Sequence, residues 1–160
     1  MTTELKVRDI MSSEVMAVAE DLTVGELATF LTDHEISGVP VTRTDGMLLG
    51  VVSVTDITRC ASLGGPASGE SDEIDYFRRD WEDQFDEADA RAIHIDDDSL
   101  RVRDIMTTEP VFTIPGDESV SKLARRMLEA HIHRMLVTEK EQVIGIVSTS
   151  DLLQLLAESN

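Results

Sequence analysis

Apolar positions recur at helical spacing twice along this chain. Val24, Leu27, Ala28 and Leu31 form one stripe, and Val120, Leu123, Ala124, Met127 and Leu128 form another. Thr23 and Ser119 stand where a helix N-cap is needed, and Glu26, three residues after Thr23, completes a capping-box signature. Each stripe is followed by short apolar runs, 39–42 and 48–53 about the turn TDGM, then 135–138 and 143–148 about EKEQ. A closing helix is predicted to start near Asp56 and again near Asp151, where a carboxylate meets free N–H groups. The predicted order in each half is helix–strand–strand–helix, preceded by an extended VRDIM segment and an extra N-terminal strand.

These two halves are copies of one another. VRDIM occurs at 7–11 and at 102–106, followed by SSEV and TTEP. TVGELATFLTDHEISGVPVT at 23–42 matches SVSKLARRMLEAHIHRMLVT at 119–138, and LGVVSVTDI at 49–57 matches IGIVSTSDL at 144–152. Three matched blocks in the same order establish a duplication. A copy of about 55 residues buries its helix and sheet faces poorly alone. The expected solution is α/β (α+β): two repeats, 1–61 and 100–160, packed sheet to sheet about a pseudo-twofold axis.

Residues 62–99 interrupt the repeat. This insert carries 13 acidic and 3 basic residues, which supplies −10 of the net charge of −18. Ile74, Phe77, Trp81, Phe85 and Ala88 fall at spacings of an amphipathic helix, with Asp72 and Glu73 in its first turn. Two readings stand: a linker helix on the protein's own surface, or a contact for a partner built on Tyr76, Phe77 and Trp81. Asp96–Asp98 are three adjacent carboxylates, read as a solvated acidic run rather than a metal site.

The acidic balance argues against nucleic acid or anionic membrane as a partner, since phosphate surfaces require a basic footprint. Cys60 is the single cysteine, which excludes an internal disulfide and fits a cytoplasmic location. The N-terminus shows no apolar signal-peptide core, and no apolar stretch is long enough to span a bilayer.

Candidate chemistry lies where each closing segment reads Gly, two apolar residues, Ser, any residue, Ser or Thr, and Asp. Ser53, Thr55 and Asp56 follow Gly50, and Ser148, Ser150 and Asp151 follow Gly145. Glycine admits close backbone approach, hydroxyls both donate and accept, and a carboxylate accepts two bonds from a vicinal diol such as a ribose. Helix capping explains the same aspartates without a ligand. His133 and Arg134 break the symmetry, because repeat 1 carries Ser37 and Gly38 there; imidazole and guanidinium together suit a phosphate. His34 and His131 sit at helix ends as partners of the C-terminal dipole, and Asp9 and Asp104 are read as backbone anchors. No catalytic or metal-ligating set emerges, so no enzyme is expected.

VRDIM, ISGVPVT, IHRMLVT and the two Gly-to-Asp segments together resemble a CBS domain pair, or Bateman module, over about 110 residues. The resemblance implies a regulatory module that binds an adenine nucleotide (AMP, ADP or ATP) between its repeats and signals to a partner protein. It also implies a homodimer, and Mg²⁺ where the ligand is a polyphosphate. In these terms Asp56 and Asp151 match ribose-holding aspartates, with Ser53, Thr55, Ser148 and Ser150 as polar neighbours. His133 and Arg134 match a phosphate-contacting pair and are expected to work with Asp56. The segments 11–16 and 106–111 are expected to wall the adenine. The Asp151 cleft, facing Ser37 and Gly38, is the doubtful one. The alternative is a structural or interaction module with degenerate clefts, acting through its dimer surface and acidic insert.

Overall fold

A computed structural model describes residues 4–63, 77, 100–109 and 111–159. The described elements run α1 (Val7–Ile10), β1 (Val18–Ala19), α2 (Val24–Asp33), β2 (Gly38–Thr42), β3 (Leu48–Ser53) and α3 (Val54–Leu63) in the first half. The second half repeats them as α4 (Val102–Ile105), β4 (Thr113–Pro115), α5 (Val120–Ala130), β5 (Arg134–Glu139), β6 (Gln142–Ser148) and α6 (Thr149–Glu158). Each half holds a three-stranded sheet, β1-β2-β3 or β4-β5-β6, with the first pair parallel and the second antiparallel.

The compact units do not follow the repeat boundaries. One unit gathers the described residues up to Val15, Phe77, and everything from Phe112 on; the other gathers the described residues from Met16 to Val111 apart from Phe77. The opening segment of each repeat is therefore built into the unit that holds the other repeat's sheet. In the first unit, Val7 and Arg8 donate to Glu118 and Gly116 carbonyls, and Ser12 bridges Ile146. In the second, Val102 and Arg103 donate to Leu22 and Glu20, and Thr107 bridges Val51.

VRDIM is not extended, as the sequence suggested, but forms the one-turn helices α1 and α4. The cause is a carboxylate at the third helical position: Asp9 Oδ2 accepts the Lys6 amide at 2.9 Å, and Asp104 Oδ2 accepts the Arg101 amide at 2.8 Å. That makes both aspartates the backbone anchors expected of them. Thr23 and Ser119 cap α2 and α5 as predicted, accepting the Glu26 and Lys122 amides. Glu26 takes the Thr23 hydroxyl at 2.9 Å. His34 and His131 stand at the C-caps of α2 and α5, His131 in the left-handed conformation.

Burial follows the apolar pattern. Val18, Val24, Leu27, Leu31, Val39, Val41, Val52, Ile57 and Val102 form one core. Val7, Ile114, Leu123, Leu136, Val137 and Val147 are buried in the other unit. Pro40 explains why β1 is one residue shorter than β4. It pairs with Val51, whose N–H and C=O both bond Thr107, so an N–H at position 40 would point towards β1. The matching Leu136 has that N–H and donates it to Phe112 at 3.1 Å, which extends the ladder. The hairpins also differ. In β2–β3, Gly46 (φ 87°) ends the loop, and Asp45 accepts from Arg43 and from the Met47 amide, which together hold its carboxyl below the usual range.

Candidate functional site

The second half forms an open shelf where β6 ends and α6 begins. The Ser148 amide donates to Asp151 Oδ2 at 2.7 Å, and its hydroxyl donates to the same oxygen at 3.1 Å. Ser148 and Ser150 hydroxyls lie 2.9 Å apart. Asp151 thus does cap the helix, reaching back from the third position to the N-cap serine. The cap uses one oxygen only. Oδ1 meets no donor among the described residues, and Ser150 is exposed beside it. A carboxylate fixed through one oxygen and open at the other can still receive a diol.

Close backbone approach sets the floor of this shelf. Ser12 and Ile146 exchange both backbone hydrogen bonds, at 2.8 and 2.9 Å. A Cβ on Gly145 would collide with Met11 Sδ and stand 2.9 Å from Ser12 O, so only glycine lets the segment from repeat 1 lie down there. Across the sheet, Arg134 pairs directly with Ser148, which puts the two on one face. His133 is tied to the start of α6: its carbonyl accepts the Thr149 amide at 2.9 Å and the Thr149 hydroxyl at 3.2 Å. His133, Arg134, Ser148, Ser150 and Asp151 therefore share one unit.

Ser53, Thr55 and Asp56 form the matching shelf of the other unit, with the same cap. The Ser53 amide and hydroxyl reach Asp56 Oδ2 at 2.8 and 3.2 Å. This shelf is more closed. Ser53 is 3% exposed, and Arg59 stands 3.9 Å from Asp56 Oδ1 with side chains only 20% and 10% exposed. Gln154 takes the place of Arg59 in the second half and bonds Glu158 instead. Arg59 is a site residue that carries no motif, and its spacing of three from Asp56 on a helix is the signal that marks the contact. The expected association of Asp56 with His133 and Arg134 draws residues from both units.

Phe77 is the described member of the insert's predicted apolar stripe. It is fully buried, its ring meets Phe112 edge to face at 5.1 Å, and its carbonyl accepts the His133 amide at 2.7 Å. The rest of the predicted apolar stripe (Ile74, Trp81, Phe85, Ala88) lies outside the described residues, as do Tyr76, Asp72, Glu73, His94 and Asp96–Asp98.

Known proteins agree with this duplicated architecture. The family model described as CBS domain matches residues 7–62 and again 102–158. The chain belongs to the CBS domain family. It is 28% identical to an uncharacterized protein of Methanocaldococcus jannaschii, MJ1426, over 94% of this chain and 90% of that one. The CBS domain pair also matches homoserine O-acetyltransferases of archaea, but spans only about a quarter of their length. Among solved structures, the CBS domain pair of protein MJ0100 in complex with 5′-methylthioadenosine and S-adenosyl-L-methionine superposes with a TM-score of 0.63. That pair is 21% identical, over 99% of this chain and all of that one. CBSX2 in complex with AMP gives a TM-score of 0.64 at 19% identity, over 96% and 97% of the two chains. The likeness to these structures is one of fold. CBS domain pairs generally serve as regulatory, non-catalytic modules.

Proposed function

We propose that this CBS domain pair is a non-catalytic, cytoplasmic sensor that binds an adenine nucleotide and passes its binding state to a partner protein. The observation that carries this reading is the shelf aspartate. Asp151 spends one oxygen on the helix cap and leaves the other open beside two hydroxyls, in the unit that also holds His133 and Arg134. The shelf suits a ribose diol, and the basic pair suits the phosphate of AMP, ADP or ATP. With a polyphosphate, Mg²⁺ would offset charge on a protein of net charge −18. The adenosine ligands of CBSX2 and MJ0100 support the ligand class.

Isothermal titration of ligand-stripped protein with AMP, ADP and ATP tests the proposal. Absence of binding by all three refutes it. Arg134→Ala is expected to weaken AMP about 10- to 100-fold, the worth of a charge-assisted contact, while adenosine changes little. Equal losses for both ligands would show that Arg134 does not read phosphate. Asp56→Asn and Asp151→Asn, measured separately, identify the carboxylate that holds the ribose.

A second reading rests on Leu128, Leu153 and Leu156, which are 76%, 55% and 65% exposed on α5 and α6. Apolar side chains left open on two helices suit a homodimer contact. Such a surface would serve either a sensor or a purely structural module.

A further inference from the structure

We infer that Arg59 bars a ribose diol from the Asp56 carboxylate, so that the chain holds one diol site, at Asp151. This rests on the reading of the shelf aspartates as ribose holders. Both carboxylates are tied in the same way. The amide and hydroxyl of the serine three residues earlier bond Oδ2, at 2.8 and 3.2 Å for Asp56 and at 2.7 and 3.1 Å for Asp151. A diol must therefore reach the other oxygen. At Asp56 that oxygen faces the Arg59 guanidinium at 3.9 Å, a separation for charge attraction rather than a hydrogen bond. Both side chains are largely shielded from solvent, and Ser53 beside them is buried. At Asp151 the same oxygen meets no donor among the described residues.

The difference has a local cause. Gln154, at the position of Arg59, spends its side-chain amide on Glu158 four residues on, at 3.0 Å. Position 63, which matches Glu158, is leucine and offers no carboxylate. A guanidinium at position 59 instead has Asp56 three residues back. Displacing it would separate two opposite charges where little water reaches them, and a diol returns only hydrogen bonds from neutral hydroxyls. Asp151 demands no such exchange, because a diol there replaces water. Arg59 thus selects against sugar hydroxyls without disturbing the serine–aspartate cap that both helices share.

Equilibrium dialysis of the full chain counts the sites, with adenosine as probe and 2′-deoxyadenosine, which lacks one hydroxyl of the diol, as control. Wild type is expected to hold one adenosine per chain. Arg59→Gln, which installs the residue of the second half, should hold two. The reverse change, Gln154→Arg with Glu158→Gln, sets a guanidinium near Asp151 and removes the carboxylate that would draw it away. It should weaken adenosine about 10- to 100-fold, the worth of hydrogen bonds to a charged group, and 2′-deoxyadenosine less. Both of its positions are exposed, so it carries the test should Arg59→Gln not fold. Two adenosines per wild-type chain, or one in wild type and in folded Arg59→Gln alike, overturns the role of Arg59 and leaves the nucleotide reading standing. Adenosine affinity unmoved by the reverse change, or lowered equally for the two nucleosides, does the same. Binding of neither adenosine nor AMP by any of these proteins overturns the ribose reading and the inference with it.

Discussion

Gly50→Ala is a sensitive test of how the opening segment of repeat 2 is held. A Cβ at Gly50 would stand 2.5 Å from Thr107 O and 3.3 Å from Thr107 C, whereas ordinary contact begins near 3.4 Å. The oxygen cannot simply withdraw, because it accepts the Val51 amide at 2.9 Å while the Thr107 amide donates back to Val51 at 2.8 Å. Relief means opening this bridge. Overpacking of this kind costs about 1–3 kcal/mol, and a hydrogen bond lost with it about 1 kcal/mol more. Against this, alanine in an extended strand restricts the unfolded chain and returns about 0.4–1 kcal/mol. The balance is about 1–3.5 kcal/mol of destabilisation, or roughly 2–14 °C in Tm for a chain of this size. Calorimetry and amide exchange at Val51 and Thr107 read the outcome. A Tm equal to or above wild type, with both amides still protected, would refute the argument.

Two further predictions follow from other parts of the molecule. Lys140 and Glu141 occupy a two-residue hairpin loop between Glu139 and Gln142 with φ of 52° and 66°, so Lys140→Asn with Glu141→Gly should raise Tm by a few degrees, about 0.5–1 kcal/mol; a fall in Tm would show that these side chains contribute more than their backbone strain. Leu156→Glu on exposed α6 is expected to convert a dimer to monomers in light scattering, and a monomeric wild type would remove that surface from consideration.

How much was legible beforehand depended on whether a feature was local. The duplication placed β2, β3, β5 and β6 to within one residue at each end, because each apolar run is written twice; the extra N-terminal strand of each copy, β1 and β4, carried no bounds in the sequence. Helix starts were harder. Asp56 and Asp151 were read as near the first residues of α3 and α6, but those helices begin at Val54 and Thr149, two residues earlier. The carboxylates reach backwards from the third position to cap a serine, a geometry that residue type alone does not show. The same device hid α1 and α4, since Lys6 and Arg101 do not resemble N-caps and four residues are too few for a periodic pattern. Partners far apart in sequence were out of reach. Nothing near Phe77 announces the His133 amide, and nothing near Met11 announces Gly145.

The copies differ at the residues proposed to bind a ligand while keeping the points that make the fold. Both keep the glycine under the opening segment, the serine–aspartate cap, and the bulge after Val41 and Val137. Each of these is fixed by backbone geometry, so a change in either copy would cost stability directly. The residues around the shelves are under no such constraint. Arg59 sits against Asp56 where Gln154 leaves Asp151 open, and His133–Arg134 replaces Ser37–Gly38. Phe77 accepts the His133 amide in the half that carries the basic pair. A symmetric binder would need none of these differences. Their concentration at the shelves, rather than across the core, fits the proposed division between two sites: one carboxylate held by an arginine and one left open.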